Sequence, residues 1–170
     1  MINQEIIKIA KKYLGQHEKP ANSGFLDSTF EKKMISVGWQ KSQAWCCYFA
    51  ELVWKEAYLE YNPKIYGLLD TLFASSATAT YQRFDVDPVW NVSKVPVLGA
   101  LAIWRHGVSW EGHVGIVSEI MNPVIFKSIE GNTDGQRGRE GIEVAEKSRH
   151  VDYTVSPDKL NLIGFVIPNI

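Results

Sequence analysis

The chain carries two cysteines, side by side in QAWCCYFAELVW, residues 43–54. Trp45, Phe49, Val53 and Ala57 recur at i, i+4 spacing, so the pattern predicts a helix over 45–60 with Cys46 and Cys47 at its start. The N-terminal end of a helix presents unpaired N–H groups and the positive end of its dipole. A thiolate there is stabilised, and an adjacent histidine can bring a cysteine pKa from ~8.5 into the range ~3.5–7.5. The same N–H groups can hold an oxyanion during acyl transfer. Free cysteine is more commonly a small core residue, so both readings stand on this stretch alone. A zinc site is disfavoured, because adjacent cysteines lack the C-x₂₋₄-C spacing and no second pair exists.

A cysteine nucleophile needs a base. Of the four histidines, His17 lies in a turn-rich linker and His150 follows a Lys/Arg-rich strand end, both as solvated residues would. His106 falls in RHGVSWEG, which reads as a loop. His113 opens the strand HVGIVSEI directly after Gly112, where a side chain at a strand mouth can reach a neighbouring helix terminus.

The following strand supplies a carboxylate. HVGIVSEI-MN-PVIFKSIE reads as a hairpin turning at Met121-Asn122, which places Glu130 directly opposite His113. The period of two then puts Asn132 on the face of Glu130. Either residue could hold an imidazole in its working tautomer, as the third member of a nucleophilic triad does. Either also has a plainer use, Glu130 as a solvated strand end and Asn132 as a turn residue.

The elements that must position these groups follow from the pattern. Ile2, Ile6, Ile9, Ala10 and Tyr13 recur at helical spacing before Gly15, predicting a helix over 3–14. HEKPANSG is a linker, 25–36 a second helix, and the helix over 45–60 ends at YNP, because the residue before proline resists helical geometry. Residues 75–83 suggest another short helix, and DVDPVWNVSKVP a loop. Then LGALAIWR, GHVGIVSEI, PVIFKSIE, GIEVAEKSR and LIGFVIP are short runs rich in Val, Ile and aromatics, bounded by turn residues, as strands are. Helices followed by strands suggest an α+β domain: N-terminal helices packed on a C-terminal antiparallel β-sheet, with residues 1–170 as a single domain.

Composition narrows the partners. With 170 residues, 45% hydrophobic, the chain can bury a real core. A net charge of −1 gives no broad basic surface for nucleic acid or anionic lipid. No apolar run approaches the ~18 residues needed to span a bilayer, so no membrane insertion is expected. MINQEIIKIAKKYLG lacks a continuous apolar segment of the signal-peptide kind, so synthesis in the cytoplasm is expected, and a monomer with it. Adjacent cysteines cannot staple distant segments.

Taken together, AWCCYFAELVW, GHVGIV and SIEGNTDG, in this order, resemble the CHAP family of cysteine, histidine-dependent amidohydrolases/peptidases. The matching residues are Trp45, Cys46 and Phe49; Gly112, His113, Val114, Gly115 and Val117; and Ile129, Glu130, Gly131 and Asn132. VPVLGALAIWR is similar to the family's strand before the histidine, with Ala100 where the family often has an acidic residue. The resemblance implies a papain-like fold, Cys46 as nucleophile, His113 as general base and Glu130, with Asn132, as orienter. It implies peptidoglycan as substrate, cut at the muramoyl–peptide amide or within the peptide; with no signal peptide and no wall-binding module expected, the chain resembles a phage endolysin or a lytic effector delivered by a secretion apparatus. Action on the wall would follow release or delivery. Two alternatives remain: an amidase acting on a soluble substrate, and a non-catalytic phage structural or binding module. Some relatives bind calcium upstream of the cysteine, but SVGWQKSQAW has no acidic residue and DVD at 85–87 reads more simply as a turn, so no metal and no cofactor are expected. Gln40 and Gln43 precede the helix as candidate oxyanion or substrate contacts. Trp110, in a Gly-flanked loop, could wall a groove for glycan or peptide, whereas Trp104 reads as core. Arg137 and Arg139 in GQRGREG could meet stem-peptide carboxylates.

Overall fold

The computed structural model describes residues 1–133 and 141–169. Five α-helices precede and flank a sheet: α1 (Ile2–Lys12), α2 (Ser28–Ser36), α3 (Cys46–Tyr61), α4 (Pro63–Leu72) and α5 (Ala77–Val86). The strands are β1 (Asn91–Ser93), β2 (Leu101–His106), β3 (Gly112–Asn122), β4 (Ile125–Thr133), β5 (Glu143–His150) and β6 (Leu160–Ile167). They form one sheet in the order β1-β6-β2-β3-β4-β5, and every pairing is antiparallel. The expected α+β arrangement is therefore the observed one.

Local chemistry explains the helix boundaries. Asp27 caps α2 by accepting from the N–H groups of Thr29 and Phe30 at 2.7 and 3.1 Å. Ser76 caps α5 by accepting from Ala79 N–H at 3.4 Å. Asn62-Pro63 ends α3 as anticipated, but Pro63 also opens α4 as its first residue. That helix was not anticipated: proline stops one helix and has the fixed φ and missing N–H that suit the start of the next. Likewise β1 lies inside the stretch expected to be a loop. It has only three residues, too few for an alternation to show.

α3 is the central helix, packed against α1, α4, β3 and β4. It is buried on nearly all sides, Glu51 and Lys55 included. One face of the sheet contributes Leu101, Ile103, Val114, Ile116, Ile129 and Val166 to the main core shared with the helices. The other face carries a smaller apolar cluster around Trp104, Val117, Phe126, Leu162 and Phe165.

The β3–β4 hairpin turns two residues later than expected. Asn122 pairs with Ile125, so Pro123-Val124 form the connection rather than Met121-Asn122. The cause is local: Asn122 Oδ1 accepts from the N–H groups of Val124 and Ile125, both at 2.9 Å, and Pro123 supplies the φ of a turn. Two irregularities in the ladder bring the register part of the way back, and toward the strand mouth Ile116 faces Ile129. Gly115, not His113, consequently lies beside Glu130.

Candidate active site

Trp45 and Cys46 fix the start of α3. The Trp45 ring is fully buried and meets Phe25, Phe30 and Phe49 with ring centroids at 5.0, 6.3 and 6.4 Å. This aromatic cluster sets where the helix begins, and Cys46 is its first residue. Cys46 is only 6% exposed, yet it lines a cleft of about 80 Å³ together with His113, Asn132, Ser75, Ser76 and Trp110.

His113 lies at the mouth of β3, 5% exposed, with its ring beside Trp104, its cross-strand neighbour on β2, at a centroid distance of 6.0 Å. Its Nε2 meets Glu130 Oε2 at 2.8 Å. Cys46 lines the same cleft and interacts electrostatically with this imidazole, and the Glu130 bond at Nε2 leaves Nδ1 to serve the sulfur. Glu130 has no exposed surface, and among the described residues four donor contacts hold its carboxylate. Oε1 accepts from Ser128 Oγ at 2.6 Å and Arg149 Nε at 2.7 Å; Oε2 accepts from His113 and from Arg149 Nη2 at 2.5 Å.

The expected direct pairing of Glu130 with His113 is thus corrected. The residues are diagonal neighbours, and the Glu130 side chain reaches across Gly115. A Cβ on Gly115 would lie 2.7 Å from Glu130 Cγ, so this position must be glycine for the bond to form. Gly131 has a different reason: its Cβ would fall 2.6 Å from the Trp45 ring and 2.8 Å from Phe49. The close approach of β4 to the start of α3 depends on that missing methyl group.

These contacts shape the charges. The Cys46 thiol is held well below the ordinary thiol range, first by a hydrogen bond from Cys47, then by the hydrogen bond and charge of His113 and by Val114 N–H, against burial. Cys47 moves the opposite way, pushed well up by its bond to Cys46 and by burial. Burial disfavours a charged His113, but the Glu130 carboxylate and the bonds to Cys46 and Glu130 outweigh it, raising the imidazole to about 9. Glu130 sits well below the usual carboxylate range: burial opposes its charge, and His113 and then Arg149 overcome it. At neutral pH the arrangement favours a thiolate beside an imidazolium, which suits nucleophilic attack and protonation of a leaving group.

Asn132 also reaches the cleft, by a different route from the one expected. Its backbone is left-handed, with φ of 53°, and the β4–β5 ladder is irregular between Glu130 and Thr133. The simple alternation that would place Asn132 on the face of Glu130 does not hold there. Trp110 is 75% exposed at the cleft, in the β2–β3 loop. Its carbonyl accepts from Thr78 Oγ1 at 2.8 Å and Ser76 Oγ at 3.2 Å, so the start of α5 latches this loop. Trp104 is buried.

Gln43 stands outside the residues lining the cleft. Its Oε1 accepts from Gln40 N–H at 3.1 Å and its carbonyl from Trp39 Nε1 at 3.0 Å, both internal to the turn before α3. Gln40 is exposed. Arg137 and Arg139 lie outside the described residues. Among the described residues, no group of three His, Cys, Asp or Glu side chains is placed to hold a metal ion. In the DVD stretch, Asp87 Oδ1 accepts from Val89 N–H at 2.9 Å, forming a turn. His106 closes β2 rather than lying in a loop, and His17 Nε2 lies 3.5 Å from Glu143 Oε2.

Sequence reasoning missed Arg149 and Ser128. Ser128 shares the β4 alternation with Glu130 and could have been found from it. Arg149 carries no local signal, since its placement depends on how β5 registers against β4.

Comparison with curated proteins gives no match, and comparison with solved structures gives none. The model of the CHAP domain matches residues 38–132, more than half of the chain, and spans Cys46, His113, Glu130 and Asn132. The chain therefore belongs to the CHAP family of cysteine, histidine-dependent amidohydrolases/peptidases and is a hydrolytic enzyme.

Proposed function

We propose that this chain is a peptidoglycan hydrolase that cleaves an amide or peptide bond of the bacterial cell wall, with a papain-like site. Cys46 is the nucleophile, His113 the proton carrier and Glu130 the group that orients it. One observation carries the reading: a cysteine at a helix N-terminus, facing a buried histidine whose far nitrogen is bound by a buried carboxylate, all at one cleft.

The thiolate attacks the scissile carbonyl, and the developing oxyanion lies near the first N–H groups of α3, which have no acceptor within the helix. His113 protonates the leaving amine, then accepts a proton from the water that releases the acyl-enzyme. Asn132 and Trp110 line the approach, where Trp110 offers a flat apolar surface to a sugar or peptide. The solvent-facing indole at the cleft suits a large substrate that lies across the surface.

The test is digestion of purified peptidoglycan of several chemotypes by wild type and Cys46→Ala, with fragments read by mass spectrometry. New termini from wild type alone support wall hydrolysis and identify the bond. Intact wall of every chemotype would overturn the substrate assignment and direct attention to soluble amides.

A further inference from the structure

We infer that Arg149 is a positioning residue of this site, holding Glu130 in the orientation that lets His113 serve Cys46. The inference rests on the catalytic reading of those three residues. Arg149 lies on β5, beyond the stretch matched by the family model, and no residue pattern around it points to the site.

The geometry is specific. Arg149 meets both carboxylate oxygens of Glu130 through Nε and Nη2, the side-on fork that fixes a carboxylate plane as well as its charge. A lysine has no such fork. The guanidinium lies 5.0 Å from the Trp104 ring centroid, and Trp104 flanks His113 on the same face. Arg149 and His113 thus bracket one carboxylate from opposite strands, and Trp104 spans both.

Among the described residues, the groups around Glu130 that bear on its charge each contribute in a definite way. β3 brings His113, β5 brings Arg149, β4 brings Ser128, β2 brings the neutral Trp104, and α3 acts through the Cys46 contact to His113. Without Arg149 the wholly buried carboxylate loses two of its donor contacts and a fixed positive charge. It then takes up a proton at a higher pH. Once protonated it no longer supports imidazolium at His113, and the Cys46 thiolate is lost with it.

Arg149 is 24% exposed along its side chain, and its outer edge opens on a groove of about 340 Å³ lined also by Trp104, Ser148, Lys159 and Leu160. This groove lies apart from the Cys46 cleft and gives a small guanidinium ion a route to the vacated position.

The experiment measures carbamidomethylation of Cys46 by iodoacetamide against pH, mapped by mass spectrometry, beside wall digestion. It compares wild type with Arg149→Ala, Arg149→Lys and Cys46→Ala. For Arg149→Ala the expected result is an acid limb moved up by about one pH unit and a kcat lower by roughly 10–100-fold. Added ethylguanidinium restores at least part of both. Arg149→Lys keeps the acid limb near wild type but recovers only part of kcat. A purely structural role would lower activity evenly across pH without rescue. Wild-type kcat and an unmoved limb in Arg149→Ala, with Cys46→Ala inert, would overturn this inference alone. Turnover surviving in Cys46→Ala would overturn the catalytic reading and the inference with it. If Arg149→Ala fails to fold, the Arg149→Lys split between limb and kcat decides; equal loss of both overturns the inference.

Discussion

Glu130 binds His113 at 2.8 Å although the two are not cross-strand partners; the carboxylate crosses the bare backbone of Gly115 to reach the ring. Gly115→Ala should therefore act on catalysis through Glu130. The added methyl would lie 2.7 Å from Glu130 Cγ, and either the strand or the carboxylate must move. The expected cost is about 1–3 kcal/mol of stability, as for other overpacked sites, with a fall in kcat larger than that loss of folded protein explains. Thermal unfolding and kinetics on the same preparation check it.

Replacing Glu130 by Gln removes the negative charge from between His113 and Arg149. Activity should drop by roughly 10²- to 10⁴-fold, as when a triad carboxylate becomes an amide. Stability should also fall, toward the lower end of the ~3–5 kcal/mol typical of a broken buried pair, because Arg149 is partly exposed and recovers some hydration. Retained activity would remove Glu130 from the mechanism.

On the proposed mechanism, turnover needs thiolate and imidazolium together, so activity should exist above the Cys46 pKa and below that of His113. His113 is raised to about 9, so the alkaline limb of kcat/KM should fall near that pH rather than near the ordinary histidine value. An alkaline limb close to pH 6.5 would show that the Glu130 contact does not act on His113 as described.

The neighbouring Cys47 thiol holds the Cys46 pKa down and is itself pushed away from ionisation. Cys46→Ala should abolish turnover. Cys47→Ala should keep most of it at mildly alkaline pH while moving the acid limb upward, because the thiol that holds the Cys46 pKa down is gone. The reverse pattern would exchange the roles of the two cysteines.

Trp110→Ala tests the cleft wall. The indole is 75% exposed and the loop is latched through its backbone carbonyl, so stability should stay within about 0.5 kcal/mol. KM for wall fragments should rise several-fold with kcat little changed. An unchanged KM would leave Trp110 without a part in binding.

Much of this arrangement was legible in the residues. The helix-start cysteines, the strand-mouth histidine and the Glu130 strand each carry a local pattern; α1 and α3 follow their helical periodicities, and β2 to β6 fall on runs rich in Val, Ile and aromatics between turn residues. What was not legible depended on registers that no local pattern fixes. A single Asx turn at Asn122 and two ladder irregularities moved the hairpin, so the right pair was named by the wrong geometry. Arg149 needed the β4–β5 register, and the departure of Asn132 from alternation comes from a left-handed residue. α4 was hidden because Pro63 signals a stop and a start with the same ring.

The emptiness at Gly115 has a practical meaning for anyone transplanting this triad onto another scaffold. Cysteine, histidine and glutamate placed with correct Cα positions would still fail on a hairpin whose intervening residue has a side chain. The transferable unit is three functional groups and one vacancy, and the vacancy cannot be recovered by optimising the other three.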